Sequence, residues 1–185
     1  FWNNGTAAVG NADNTTGLPI SSPTGATFTY TPSRPFMDNY TNTLADVAMH
    51  YWKTDLRTDL INNVPTTSAN PAFWQHMVTF GNSIGLKGTL DPTTDLPGLV
   101  NGPTNWTNPI TNTGLERIDD LFHASVNGHG RFVAATDPFE LSNALKSALA
   151  SIIGRVGSSS NVAANSVSVG SDTKIFQASY ITGQW

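Results

Sequence analysis

No cysteine occurs among the 185 residues. That excludes a disulfide framework, a thiolate nucleophile and a cysteine-ligated zinc site, and it leaves the compartment undecided. Charge is scarce too: Asp, Glu, Lys and Arg make up 12% of the chain, against about 25% in an average globular protein. The nine basic residues leave a net charge of −4 and are scattered, no two closer than Lys53 and Arg57. There is therefore no basic patch to neutralise the phosphates of a nucleic acid. No apolar run approaches the roughly 20 residues that span a bilayer. The chain has no phosphate loop, no nucleophile elbow and no His-Glu-x-x-His pair, so the residues indicate no enzyme.

Asn, Thr, Ser and Gly fill the deficit in charge. Their surface is hydrogen-bonding rather than ionic, which suits an extracellular protein whose loops lean on side-chain to backbone bonds. The length fits one domain with a core and is short for two. The chain opens on Phe1-Trp2-Asn3 without Met or a signal-peptide pattern and stops at Trp185; both ends read as cuts through a longer polypeptide.

Residues 1–41 hold four prolines and no helical period, with one short extended piece at Phe28–Tyr30. Thr43 and Asp46 then form a capping-box start to a predicted helix over 43–61, with Leu44, Val47, Ala48, Tyr51, Leu56 and Leu60 on its buried stripe. Lys53, Asp55, Arg57 and Asp59 fall on the wet side of that helix. A Pro-punctuated loop leads to a predicted strand over 74–80, after which the glycines of GNSIG suggest a turn. Residues 88–114 read as loop, 115–126 as a helix stopped at Asn127-Gly128, and 131–135 as a short strand. Asp137-Pro138-x-Glu140 opens the best helical pattern in the chain, with Leu141, Leu145, Leu149, Ile152, Ile153 and Val156 as one buried stripe. A Ser/Asn/Gly-rich linker occupies 157–173, and 174–181 alternates as a final strand. Helices alternating with strands call for an α/β fold, a parallel sheet covered on both faces.

Four histidines and a few carboxylates are the candidates for chemistry. His50 and His76 sit within helix and strand patterns and read as packing. His123 and His129, with Asp119 and Asp120 one turn back, are a thin zinc set. Asp119 and Asp120 are adjacent on a helix and point in different directions, so they make a poor glycosidase pair. Asn11, Asp13 and Asn14 offer oxygens to a cation, with Asp13 the one candidate ligand. No acidic residue follows before Asp38, and the stretch reads as turn chemistry with no metal site of its own. Trp52 and Trp74 are expected in the core, whereas Trp106, on the loop GPTNWTNP, is the candidate for an exposed surface contact. Sequons at Asn4, Asn14, Asn39 and Asn105 follow from the composition and are given no glycosylation role.

Two long stretches carry a resemblance. TLADVAMHYWKTDLRTDLINNVPTT followed by NPAFWQHMVTFGNSIGLKGTL, and then IDDLFHASVNGHGRFVAATDPFELSNALKSALASI, are similar to the PilY-type (PilC-like) proteins of bacterial type IV pili. The final KIFQASYITGQW resembles the first strand of the β-propeller that follows in that family. The resemblance implies that 1–156 is the C-terminal half of a von Willebrand factor A-like doubly wound domain, 157–173 a linker, and 174–185 the start of the propeller. It implies a pilus-tip adhesin segment that supports pilus assembly and surface attachment, outside the cell after transit through the periplasm. Minor pilins or other tip subunits would be its partners, beside a host or surface ligand. The alternatives are a purely structural assembly factor docking on minor pilins and a secreted α/β enzyme. A von Willebrand A domain holds Mg²⁺ or Ca²⁺ at Asp-x-Ser-x-Ser, a Thr and a Thr-Asp-Gly turn. None of these occurs here, and Phe1-Trp2-Asn3 resembles what directly follows that turn. Such a cofactor would belong to the full-length protein, with its ligands outside this chain.

Overall fold

The computed structural model describes residues 8–112 and 114–156 and the short segments 161–164 and 175–178. A small antiparallel hairpin pairs β1 (Ile20–Ser21) with β2 (Thr27–Phe28). Helix α1 (Leu44–Trp52) follows, then strand β3 (Thr79–Ile84), the short helix α2 (Leu96–Asn101), α3 (Glu116–Asn127), β4 (His129–Ala135) and α4 (Pro138–Val156). Strands β5 (Asn161–Ala164) and β6 (Ile175–Ala178) pair antiparallel. Part of the expected linker is thus strand, and the rest of it, like residues 1–7 and 179–185, lies outside the described residues.

The central unit is mixed α/β, as the alternation of elements predicts. Strands β3 and β4 are parallel, and α3 makes the crossover between them. Neighbouring residues of β4 face opposite ways. Phe132 meets Phe122 of α3 at 5.3 Å between ring centroids, while Arg131 reaches Ser147 of α4 at 2.7 Å. The two helices therefore cover opposite faces of the pair. Helix α1 packs on the outside of α3.

Two apolar clusters hold this together. One gathers Ile20, Tyr30, Met49, Trp52, Ala72 and Trp74; the other gathers Leu99, Trp106, Phe122 and Phe132. Trp52 and Trp74 are core residues, as expected. Their rings meet edge to face at 5.5 Å, and each indole N–H has an acceptor, Asn70 Oδ1 for Trp52 and the Trp52 carbonyl for Trp74.

The structure corrects several expectations. Helix α1 stops at Trp52 rather than Ile61, because the chain turns. Asp55 accepts the Arg57 N–H in a local turn, and the Leu56 N–H goes to the Gln75 carbonyl. Leu56, Leu60 and Ile61 stay exposed. Lys53 is half-buried, its ammonium donating to the carbonyls of Ala12 at 2.5 Å and Thr15 at 2.6 Å. The strand lies at 79–84 rather than 74–80, since Trp74 is committed to the core and pairing begins at Thr79. Gly81 is no turn residue: a Cβ there would stand 2.4 Å from Ser125 Oγ, so its bareness lets α3 settle onto β3. Within 88–114, expected as loop, 96–101 is helical. The left-handed residue after α3 is His129, at φ 52°, not Asn127 or Gly128. Gly130 follows where an added Cβ would come within 1.9 Å of the Thr79 carbonyl oxygen, at the bulge that shifts the β3–β4 register.

Helix α4 starts as expected, with Asp137 accepting the N–H groups of Phe139 and Glu140; Glu140 itself accepts from Thr136 rather than from Asp137. Its stripe is not buried as a whole. Leu145, Leu149, Ile152 and Ile153 are 43–57% exposed, and the face turned inward carries Leu141 and Ala144.

Candidate functional site, a buried Asp-His cluster

Acidic side chains concentrate where the N-terminal loop meets α1 and α3. Asp46 faces inward from the first turn of α1. It closes the expected capping box with Thr43, and its Oδ1 also accepts the Asp13 N–H at 3.3 Å. Asp120, on α3, accepts the N–H groups of Leu44 and Ala45, both at 3.0 Å. A carboxylate from one helix thus caps the free amides of another, where the helix dipole favours it. Burial pushes the carboxyls of Asp46 and Asp120 above their ordinary range.

Asp13, like Asp46, has no solvent exposure. Its Oδ1 accepts the Asp38 N–H at 3.1 Å and its Oδ2 accepts the Asn127 amide at 3.0 Å, while its carbonyl accepts the Tyr30 hydroxyl at 2.5 Å. The expected turn does form, but Asn11 makes it, accepting the Asn14 N–H at 2.9 Å, and this frees Asp13 to point inward. Burial raises the Asp13 carboxyl to about 7, against a smaller lowering by His123.

His123 completes the cluster from the middle of α3. Its Nε2 lies 2.6 Å from the Phe36 carbonyl oxygen and 3.6 Å from Asp13 Oδ2, and its Nδ1 lies 3.4 Å from Asp38 Oδ2. Trp106 stacks on the imidazole at 3.9 Å and 12°, with its own N–H on the Pro35 carbonyl at 2.6 Å. This overturns the reading of Trp106 as a surface contact. Arg34 binds the Thr104 carbonyl and Asn105 Oδ1, and the loop folds inward, leaving the indole 7% exposed. One oxygen each from Asp13 and Asp38 and one nitrogen of His123 lie within 4.8 Å of one another.

The other candidates go elsewhere. His129 stacks on Trp52 at 4.0 Å and on the Phe36 ring at 5.0 Å and bonds the Ala69 carbonyl, whereas His123 sits with Asp13 and Asp38 and meets Phe36 through its carbonyl. Asp119 turns away from Asp120, as helix geometry predicts, and accepts from Thr89, Thr107 and the Leu90 N–H. The sequence reading missed Asp38 and Asn127. The available signal was Asp38 itself, the next acidic residue after Asp13. A cleft of about 310 Å³, lined by Arg34, Met37, Asp38, Tyr40, Leu99 and Trp106, reaches the cluster from outside.

The chain is similar to curated proteins named type IV pilus biogenesis factor PilY1. It is 36% identical to that of Pseudomonas aeruginosa strain PAK over 179 residues, which is 84% of this chain and 15% of the relative. To that of strain UCBPP-PA14 it is 31% identical over 208 aligned positions, 97% of this chain and 17% of the relative. The chain thus spans about a sixth of the length of these relatives. No family profile and no solved structure matches it. On this similarity the chain belongs to the PilY-type proteins.

Proposed function

We propose that this chain is a non-catalytic module of a type IV pilus biogenesis factor, working in pilus assembly and surface attachment at the pilus tip. The observation that carries this is the 31–36% identity, over 84–97% of the chain, to proteins named for pilus biogenesis. The parallel β3–α3–β4 unit with a helix on each face is what the second half of a von Willebrand A-like sheet requires. Minor pilins or other tip subunits are the proposed partners, with Mg²⁺ or Ca²⁺ held by residues outside this chain, and β6 leading toward a propeller. No helix among the described residues is long and apolar enough to cross a membrane.

The test is complementation of a deletion strain in the native host with the full-length protein carrying Trp52→Asp, which puts a charge into the larger apolar cluster. Loss of surface pili and of attachment is expected, at protein levels matched by immunoblot. Normal piliation and attachment would overturn the reading, and normal piliation with lost attachment would restrict the role to adhesion.

A further inference from the structure

Most of the cluster's hydrogen bonds are ordinary, but one approach leaves two acceptors facing each other when the imidazole is neutral. A carbonyl oxygen only accepts, so His123 Nε2, at 2.6 Å from the Phe36 carbonyl, carries the hydrogen. In the neutral ring Nδ1 then presents a bare lone pair, and what it faces at 3.4 Å is the carboxylate Oδ2 of Asp38. Two acceptors face each other among side chains only 2% and 7% exposed. The arrangement needs a cation between them, a proton or a metal.

Three further observations favour a metal. Histidine ligands characteristically donate their other N–H to a backbone carbonyl or carboxylate, which fixes the tautomer and aims the ligating nitrogen. The Phe36 carbonyl does this here, and the stacked Trp106 holds the ring plane. Carboxyl groups are also in excess, since Asp13, Asp38 and Asp120 lie around His123 while the ammonium of Lys53 is spent on two carbonyls. Finally, Asn127 is fully buried with its amide nitrogen on Asp13, and the Oδ1 of that same amide has no hydrogen-bond partner.

We propose that Asp13, Asp38 and His123 bind one divalent transition-metal ion of the Zn²⁺ type, which ties the N-terminal loop to α3. Imidazole with two carboxylates is a borderline donor set suited to Zn²⁺ and its first-row neighbours. Ca²⁺ takes six to eight oxygens and would be poorly served by it. The cleft bordered by Asp38 and Trp106 supplies the entry path. The site draws on α3 where that helix leads into the amino end of β4, whereas ligands of open α/β sheets sit beyond the carboxyl ends of the strands. It would therefore be a structural centre separate from an adhesion-site metal.

The experiment uses the 185-residue chain, stripped with chelator and titrated with Zn²⁺ by calorimetry at neutral pH, with Co²⁺ absorption reporting the ligand field. One equivalent per chain is expected, with a rise in Tm and a visible Co²⁺ band. Asp13→Asn, Asp38→Asn and His123→Gln should each weaken Zn²⁺ at least tenfold, while His50→Gln leaves it unchanged. Circular dichroism identifies any variant that fails to fold. In that event a histidine-selective NMR spectrum of the unaltered chain decides, by whether the His123 ring shifts on adding Zn²⁺. Absence of saturable Zn²⁺ binding, binding indifferent to all three substitutions, an unmoved His123 ring, or stabilisation by Ca²⁺ alone would each overturn the proposal.

Discussion

Helices α1 and α4 invert what their sequences advertise. Helix α4 runs for 19 residues from a strong start signal along an unbroken apolar stripe, yet Leu145, Leu149, Ile152 and Ile153 remain about half exposed. Helix α1 has nine residues, and six of them are buried, Asp46 included. The difference lies in what comes to meet each helix. Among the described residues helix α4 meets a two-stranded sheet, too narrow to cover a wide stripe. Helix α1 is enclosed by α3, by the N-terminal loop and by the aromatic cluster, and carboxylates distant in sequence secure its amides. Periodicity reports which residues could be buried; a partner decides whether they are.

Trp52→Ala should damage this contrast most. Removing a fully enclosed indole from the end of α1 is expected to cost about 3–5 kcal/mol in denaturant unfolding. A loss below about 1 kcal/mol would show that the aromatic cluster does not anchor the helix.

Next comes pH, measured on chelator-treated protein. The Asp13 carboxyl titrates near 7 when folded and near 3.8 as the ordinary value. Between those limits the unfolded chain releases its proton first, so raising the pH favours unfolding. The Asp13 contribution is present in full below about pH 4 and gone above about 7. At about 1.4 kcal/mol per pH unit, the difference between wild type and Asp13→Asn should change by roughly 2–4 kcal/mol across that window. A flat difference curve would mean that Asp13 is solvated.

A smaller effect belongs to Asp120→Ala, which strips the acceptor from the Leu44 and Ala45 amides. About 1–2 kcal/mol is expected, partly restored in Asp120→Asn. The smallest belongs to α4: Leu145→Ala and Leu149→Ala should each cost under about 1 kcal/mol, against the 2–5 kcal/mol of a fully buried leucine. A larger, concentration-dependent cost would reveal that the stripe is covered by self-association in solution.

The order of helices and strands and the start signals at Thr43 and Asp137 were legible because they depend on neighbours three or four residues away. The roles of Trp52 and Trp74 were legible from their periodic settings. The end of α1 was not, because it depends on the Gln75 carbonyl taking the Leu56 amide. Gly81 misled because a glycine that admits a helix looks the same in one dimension as one that turns the chain. Trp106 misled for a related reason: its loop is polar, but Arg34, 72 positions away, folds it inward. The Asp13–Asp38–His123 cluster was illegible as a set, since its members come from two loops and a helix.

The amide of Asn127 bonds Asp13 across 114 residues and the Ala45 carbonyl across 82. A chain emerging from the ribosome at about 5–20 residues per second would hold Asp13 for roughly 6–23 s before its partner exists. The bridge from Asn127 is thus added to a loop already held by Tyr30, Asp46 and Lys53. Removing the bridge with Asn127→Ala should shorten the lifetime of the folded state while leaving the refolding rate nearly unchanged, as happens when a contact forms after the folding barrier is crossed.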